Sequence, residues 1–289
     1  MNKKFLLVSL FSISWALNIV LSRLILNRGL PPLSLNFQTL FVSILFIAIY
    51  LIYSTPQALH TGSRKGHLVA IISGIIGGGL ANIFSLQGLQ LSTATNYGFL
   101  AKTAGVYNVL ASFVLLREPI TKAKGILLGF MLAGAYLLST NGKIISPHLG
   151  DILIIFGSLG FGIASALNRL VIKNGLHPNL VSLYRAGFGF LITFIAASLF
   201  QFLTLRLDLA LLIFINGFLG ALIYIFLNKT LSVASSSYLG MMSMSVPVVV
   251  ALIAIPLFGD SLSPIQWVGG GMIVLGGILT EIKKVAHHD

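Results

Sequence analysis

Residues 22–33 read SRLILNRGLPPL, and residues 168–179 read NRLVIKNGLHPN. The two stretches align at an offset of 146, and five of their twelve positions are identical: Arg, Leu, Gly, Leu and Pro. A second match follows at an offset of 142, where Glu118 meets Asp260, Thr121 meets Ser263, Gly129 meets Gly271 and Gly134 meets Gly276. Apolar helices resemble one another by composition alone, but a shared Gly/Pro-containing loop is a more specific match. The chain is therefore read as two copies of one unit, residues 1–145 and 146–289.

Composition says what those units are made of. Of the 289 residues, 56% are hydrophobic and only 8% are charged, against roughly 25% charged in an ordinary soluble domain. That excludes a water-soluble globule and a disordered chain. The absence of cysteine excludes disulfides, thiolate zinc sites and cysteine nucleophiles. Breaks at polar residues, Pro and Gly leave ten apolar spans, near 5–26, 33–53, 67–90, 95–116, 123–140, 151–171, 178–202, 209–228, 234–258 and 264–282. Each approaches the ~20 residues that a helix needs to cross a bilayer, and strand alternation is not seen, which argues against a β-barrel. The first span is longer than a signal-peptide core and no small-residue cleavage site follows it near 27–32, so it is read as a retained helix.

Charge orients the spans. With the N-terminus inside, eleven basic residues fall on the cytoplasmic side, and only Arg28, Lys143 and Arg206 fall outside. The positive-inside rule then gives cytoplasmic N- and C-termini. The net charge of +12 is thereby assigned to membrane orientation, not to nucleic-acid binding. Five spans per copy is an odd number, so the second copy enters the bilayer inverted. The expected fold is an all-α integral membrane protein of ten transmembrane helices in two inverted five-helix repeats. In secondary transporters built this way the substrate site lies near the repeat interface, and alternating access moves the halves about it.

Several motifs point to a family. The first span carries Trp15, Ala16, Leu17 and Asn18, similar to a Trp-Gly-x-Asn motif. The run from Gly88 to Leu100 (GLQLSTATNYGFL) resembles a linker and the start of a fourth span. Leu115, Leu116, Arg117, Glu118 and Pro119, with the counterpart Leu257, Phe258, Gly259 and Asp260, resemble a Leu-Gly-Glu hinge. Ser245, Val246, Pro247 and Val248 are similar to a Ser-x-Pro-Val motif. In this order the motifs resemble those of the drug/metabolite transporter superfamily, EamA type, over nearly the whole chain. The resemblance implies a ten-helix carrier of small organic solutes such as amino acids, often an exporter, in a bacterial inner membrane. Two positions depart from the pattern. Gly105 stands where a hinge proline is common in the first repeat, while Pro247 keeps it in the second; both are expected to act as hinge or gate. Lys102 stands where a small or neutral residue is expected, and its repeat counterpart is Met244.

Lys102 is the sharpest candidate for substrate binding. A lysine inside a span costs about 2.5–3.5 kcal/mol on insertion scales and faces a cavity or a partner as a rule. Gly98, Gly105 and Ser112 share its stripe, which puts it on the packing side. Against this, it lies only about 10 Å from the outer end of its span at 1.5 Å per residue, within reach of snorkelling. No Asp or Glu lies mid-membrane, so either a substrate carboxylate or phosphate neutralises Lys102, or the lysine itself carries a proton. Arg23 and Arg169 lie near the exit ends of their spans, and Arg185 lies as deep from a cytoplasmic end as Lys102 does from the outer one; all three are read as snorkelling or capping residues. Trp15, Asn18, Gln38, Asn82, Tyr97, Tyr107, Asn108, Asn168, Tyr224 and Asn228 are expected to face the bundle, because polar groups in hydrocarbon need partners. They bind substrate or join helices. Asn82 and Tyr224 are repeat counterparts. Met241, Met242 and Met244 offer an adaptable apolar wall. Glycines at 74–79, 125, 129 and 269–277 mark close helix contacts.

The function read from these residues is a secondary transporter, an exporter or exchanger, of small organic metabolites. Alternatives within that class are carriers of anionic metabolites or flippases of lipid-linked head groups. An integral-membrane enzyme would need acid/base pairs or metal ligands. His60, His67, His148, His177, His287 and His288 form no ligand pair at helical spacing, so no metal or other cofactor is expected. A channel would need a polar pore lining. The expected partners are a small-molecule substrate and the lipid bilayer, with monomer and homo-oligomer both open.

Overall fold

The computed structural model describes residues 3–92, 97, 99–144, 148–200, 203–258 and 262–282. Thr93 to Asn96, Gly98, Gly259 to Ser261 and residues 283–289 lie outside the described residues, and with them parts of the fourth-span and second hinge motifs.

The repeated stretch forms the same turn twice. Helix α1 (Lys3–Asn27) ends at Gly29 with φ of +85°, and α6 (Leu149–Lys173) ends at Gly175 with φ of +92°. A side chain resists that left-handed backbone, and glycine accepts it. Pro32 then opens α2 (Pro32–Ser54), and Pro178 opens α7 (Pro178–Leu199). Proline suits a first helical turn, where its missing N–H has no acceptor to lose.

The remaining helices are α3 (Arg64–Ser73, Gly74–Leu80 and Ala81–Gln90), α4 (Thr103–Leu116), α5 (Lys122–Thr140), α8 (Ala210–Val233), α9 (Ser236–Met242, Ser243–Ser245 and Val246–Phe258) and α10 (Pro264–Ile282). Among the described residues no strand occurs, and nine helices are long and apolar enough to cross a membrane. The fourth span is the exception: α4 is 14 residues long, not the 22 implied by 95–116. It starts at a break, where the Lys102 N–H donates to Phe99 and the Lys102 carbonyl accepts from Gly105, both three residues away.

Helix α9 breaks in the same place. A 3₁₀ turn covers Ser243–Ser245, and Pro247 follows with no N–H to donate to the Ser243 carbonyl. The α4 turn at Ala101 and Lys102 and the α9 turn at Ser243 and Met244 are 142 residues apart. In α3 the middle segment Gly74–Leu80 is π-helical, a widening that apolar periodicity does not announce.

Packing interleaves the two sequence halves. Helix α1 packs on α8, and α6 on α3; α4 packs on α6, and α9 on α1; α2 lies on both α7 and α8, and α7 on both α2 and α3. Helices α4 and α9 touch each other, as do α5 and α10. Every such contact has its counterpart five helices on. Residues 1–145 and 146–289 are therefore not separate bodies. The contacts define two mixed bundles, α1, α2, α8 and α9 against α3, α4, α6 and α7, with the α5–α10 pair beside them.

The glycine expectation holds in part. A Cβ on Gly78 would collide with the Arg185 carbonyl oxygen, and one on Gly134 would sit 2.7 Å from that of Gly269. Gly125, Gly129, Gly270 and Gly271 have nothing within 4 Å of such a carbon, so they do not mark contacts. Val114, Ile126, Ile152 and Leu211 are exposed on the outside of the bundle, as a lipid-facing surface requires.

Candidate functional site

A cavity of about 1000 Å³ lies between the two mixed bundles. It runs from the α1–α2 turn, at Asn27 and Gly29 to Pro32, down to Leu239, Gly240 and Ser243 beside the α9 break. Of the candidates named from sequence, Trp15, Asn18, Asn82, Tyr97, Tyr224 and Asn108 line it.

Several of these also hold helices together. Asn18 donates to the side chain of Asn216 at 2.7 Å and to its carbonyl at 3.1 Å, and Asn216 donates back to the Asn18 carbonyl and to Ser22. This reciprocal pair ties α1 to α8. Asn82 donates to the Gly78 carbonyl at 2.8 Å. The Asn108 side-chain oxygen accepts from Ser236, at the start of α9.

Other candidates stand away from the cavity. Gln38 donates to the Ser34 and Thr204 carbonyls and pins the 203–206 strand of backbone to α2. Tyr107 packs against Gly162 of α6. Asn168 accepts from Ser73 and donates to Asn228 at 3.0 Å, and Asn228 donates to Ser182 at 3.0 Å. That chain of side chains joins α3, α6, α7 and α8 below the cavity. Lys102 does not line the cavity either. Its ammonium lies 5.1 Å from the Trp15 ring centroid, so it stands behind a residue that does. Gly105 meets α9, where a Cβ would sit 2.8 Å from the Gly240 carbonyl oxygen, and Pro247 lies just past the α9 break, outside the cavity wall.

A second layer closes the far end. Glu118, 5% exposed after α4, accepts from the Ser236 and Ser237 backbone N–H groups at 3.0 Å each and from the Ser237 hydroxyl at 2.6 Å. A carboxylate at a helix N-terminus satisfies open donors and meets the positive end of the helix dipole. Tyr238 donates to Glu281 at 2.8 Å, and Lys4 pairs with the same carboxylate at 3.6 Å. These contacts join α1, α4, α9 and α10.

Arg185 corrects the sequence reading most. It was expected to snorkel or cap. Instead it is 4% exposed, lines the cavity, and holds its guanidinium carbon 5.6 Å from the Tyr224 ring centroid. Asn36, Ser22, Ser165 and Asn216 also line the cavity and were missed. Asn216 carries the same signal as Asn18, an amide inside an apolar run. Arg23, by contrast, sits exposed near the mouth. Outside the spans, Arg206 holds the Asp208 carboxyl below the usual carboxylate range through a 2.7 Å ion pair. Burial, with the Lys229 charge behind it, lowers the His177 pKa.

An apolar helical bundle with a mostly apolar, partly polar cavity at its centre is the architecture of a membrane transporter. The sequence matches the EamA-like transporter family over residues 2–140 and 148–281, and the chain belongs to that family. It is 23% identical to the uncharacterized transporter YetK of Bacillus subtilis, over 92% of this chain and 83% of that one. It is 26% identical to the uncharacterized inner membrane transporter YedA of Escherichia coli K12, over 55% of this chain and 52% of that one. A protein of known crystal structure superposes with a TM-score of 0.76 over 96% of each chain at 18% identity, which shows the shared fold. The protein is thus a multi-pass membrane transporter and not an enzyme.

Proposed function

We propose that the protein is a secondary transporter of small organic metabolites, working as an exporter or exchanger by alternating access. The observation that carries this reading is the cavity. It is lined from both sequence halves, reaches the α1–α2 end of the bundle, and stops at the α9 break. Below it, the Asn168–Asn228 and Glu118–Ser236 contacts cross between the mixed bundles. A site open to one end and latched at the other is one of the two states that alternating access requires.

The repeats 1–145 and 146–289 are taken as inverted copies. Their matched turns at Gly29 and Gly175, their breaks 142 residues apart and their paired helix contacts support this. The moving parts are then the mixed bundles. The excess of basic residues at the ends carrying Lys3, Arg64, Lys122 and Lys173 supports a cytoplasmic position for that side. The cavity then faces outward, in an inner membrane such as that named for YedA. No carboxylate among the described residues lines the cavity, which favours exchange over proton coupling.

The test is counterflow in proteoliposomes loaded with unlabelled solute, following labelled alanine, succinate and 3-phosphoglycerate. Accumulation of any one of them against its own gradient is the expected result. Leak that tracks the gradient alone would favour a pore and contradict the proposal.

A further inference from the structure

We infer that Arg185 is the fixed counter-charge of the transported solute, so that the cavity takes solutes of net negative charge, whose carboxylate or phosphate is not balanced by an ammonium of their own. The inference rests on the reading of this cavity as the transport site. Arg185 is 4% exposed and lines the cavity, yet its Nε and Nη1 atoms have no hydrogen-bond partner. Its guanidinium faces the Tyr224 ring, with its carbon 5.6 Å from the ring centroid. Guanidinium stays protonated in proteins, so the charge cannot be shed. A buried cation without a counter-charge is strongly unfavourable.

Among the described residues no carboxylate faces it. Four acidic side chains fall among the described residues, and each is engaged elsewhere: Glu118 with the α9 N-terminus, Asp151 with Ser92 and the His148 N–H, Asp208 with Arg206, and Glu281 with Lys4 and Tyr238. None lines the cavity. Lys102 turns its ammonium to Trp15. A second unpartnered buried donor, Asn36 Nδ2, belongs to another residue of the same wall. Three unpartnered donor atoms on two residues of one wall, with no carboxylate among the described lining residues, favour an oxyanion.

The position also links recognition to movement. Arg185 belongs to α7 in one mixed bundle and Tyr224 to α8 in the other. An anion on Arg185 beside Tyr224 would sit on the seam where the bundles meet.

The experiment compares wild type, Arg185→Gln and Arg185→Lys in the same counterflow assay, with thermal stabilisation of the purified proteins as a binding readout that needs no transport. Succinate, 3-phosphoglycerate and alanine are the soluble probes, and head-group-labelled phosphatidylglycerol presents the same phosphate on a lipid. Wild type should carry and be stabilised by at least one anion. Arg185→Gln should weaken that anion by about 10- to 100-fold, the range for a lost hydrogen bond to a charged group. Arg185→Lys should recover part of it, since the charge returns without the planar fork. Selective loss of phosphatidylglycerol movement would support the same inference with a lipid head group as the anion. Equal anion affinity in wild type and Arg185→Gln, or movement of alanine alone, would overturn the anion assignment and leave the transporter reading standing. If Arg185→Gln does not fold, the absence of any stabilisation of wild type by the anions overturns it. Failure of wild type to move any probe would count against both.

Discussion

Charged side chains inside this bundle are stable where something compensates them, and the buried Arg185 and the Trp15-facing Lys102 are compensated differently. The Lys102 ammonium faces the Trp15 ring, a contact worth about 0.5–2 kcal/mol depending on its desolvation. Lys102→Met keeps the stem and removes the charge. It should loosen Trp15 and weaken every transported solute by a few-fold, whatever that solute's charge. Counterflow affinities for alanine and succinate check this, and loss confined to succinate would make Lys102 the substrate's own partner. At the N-terminal end of α7, the His177 ring accepts from the Asn179 N–H at 3.2 Å. Its lowered pKa means that the folded protein binds this proton less well than the unfolded chain does. Stability from this group is therefore full above the ordinary imidazole range and is lost as pH falls through it. The wild-type melting temperature should drop across that window, and His177→Ser, which caps without titrating, should flatten the drop. An unchanged slope would show that another group sets it.

Helix α4 and helix α9 meet at their breaks, and this contact decides how closely the bundles approach. Gly105→Ala places a Cβ against the Gly240 carbonyl, which is backbone and does not yield. Overpacking of this kind costs about 1–3 kcal/mol, so the variant should melt earlier and transport more slowly. Gly129→Ala, with open space around it, should do neither. Equal behaviour of the two would show that the α4–α9 contact is not tight. The helices themselves were legible, because ten apolar runs and a repeated Gly/Pro turn carry their own signal. The Pro247 break was legible too, since proline removes a donor wherever it stands. The α4 break was not: Ala101 and Lys102 carry no helix-breaking residue, and the reading of Lys102 as a charge inside a continuous span followed from the missing break. Arg185 was misread for a tertiary reason. Its depth from the helix end suggested snorkelling, and only the close approach of α3 across Gly77 and Gly78 seals it in. The glycine run at 74–79 was visible, but nothing in sequence said which helix it would meet.

At the scale of the molecule, the two repeats exchange helices, so neither sequence half can move alone. The cavity separates the mixed bundles at one end, and Glu118 holds them together at the other through three hydrogen bonds to the start of α9. Glu118→Gln keeps the shape and removes the charge. The lost interaction with the helix N-terminus is worth roughly 1–2 kcal/mol in a buried setting, or about tenfold in the population of the inward-open state. The chain contains no cysteine, so a single Ser243→Cys, on the cavity floor, reports access directly. A membrane-impermeant thiol reagent should modify it from the outer face and hardly at all from the inner face. Saturating solute should protect it, and Glu118→Gln should raise inner-face modification about tenfold. Equal modification of wild type from both faces, or none from either, would contradict the account of this cavity as an alternately exposed substrate site.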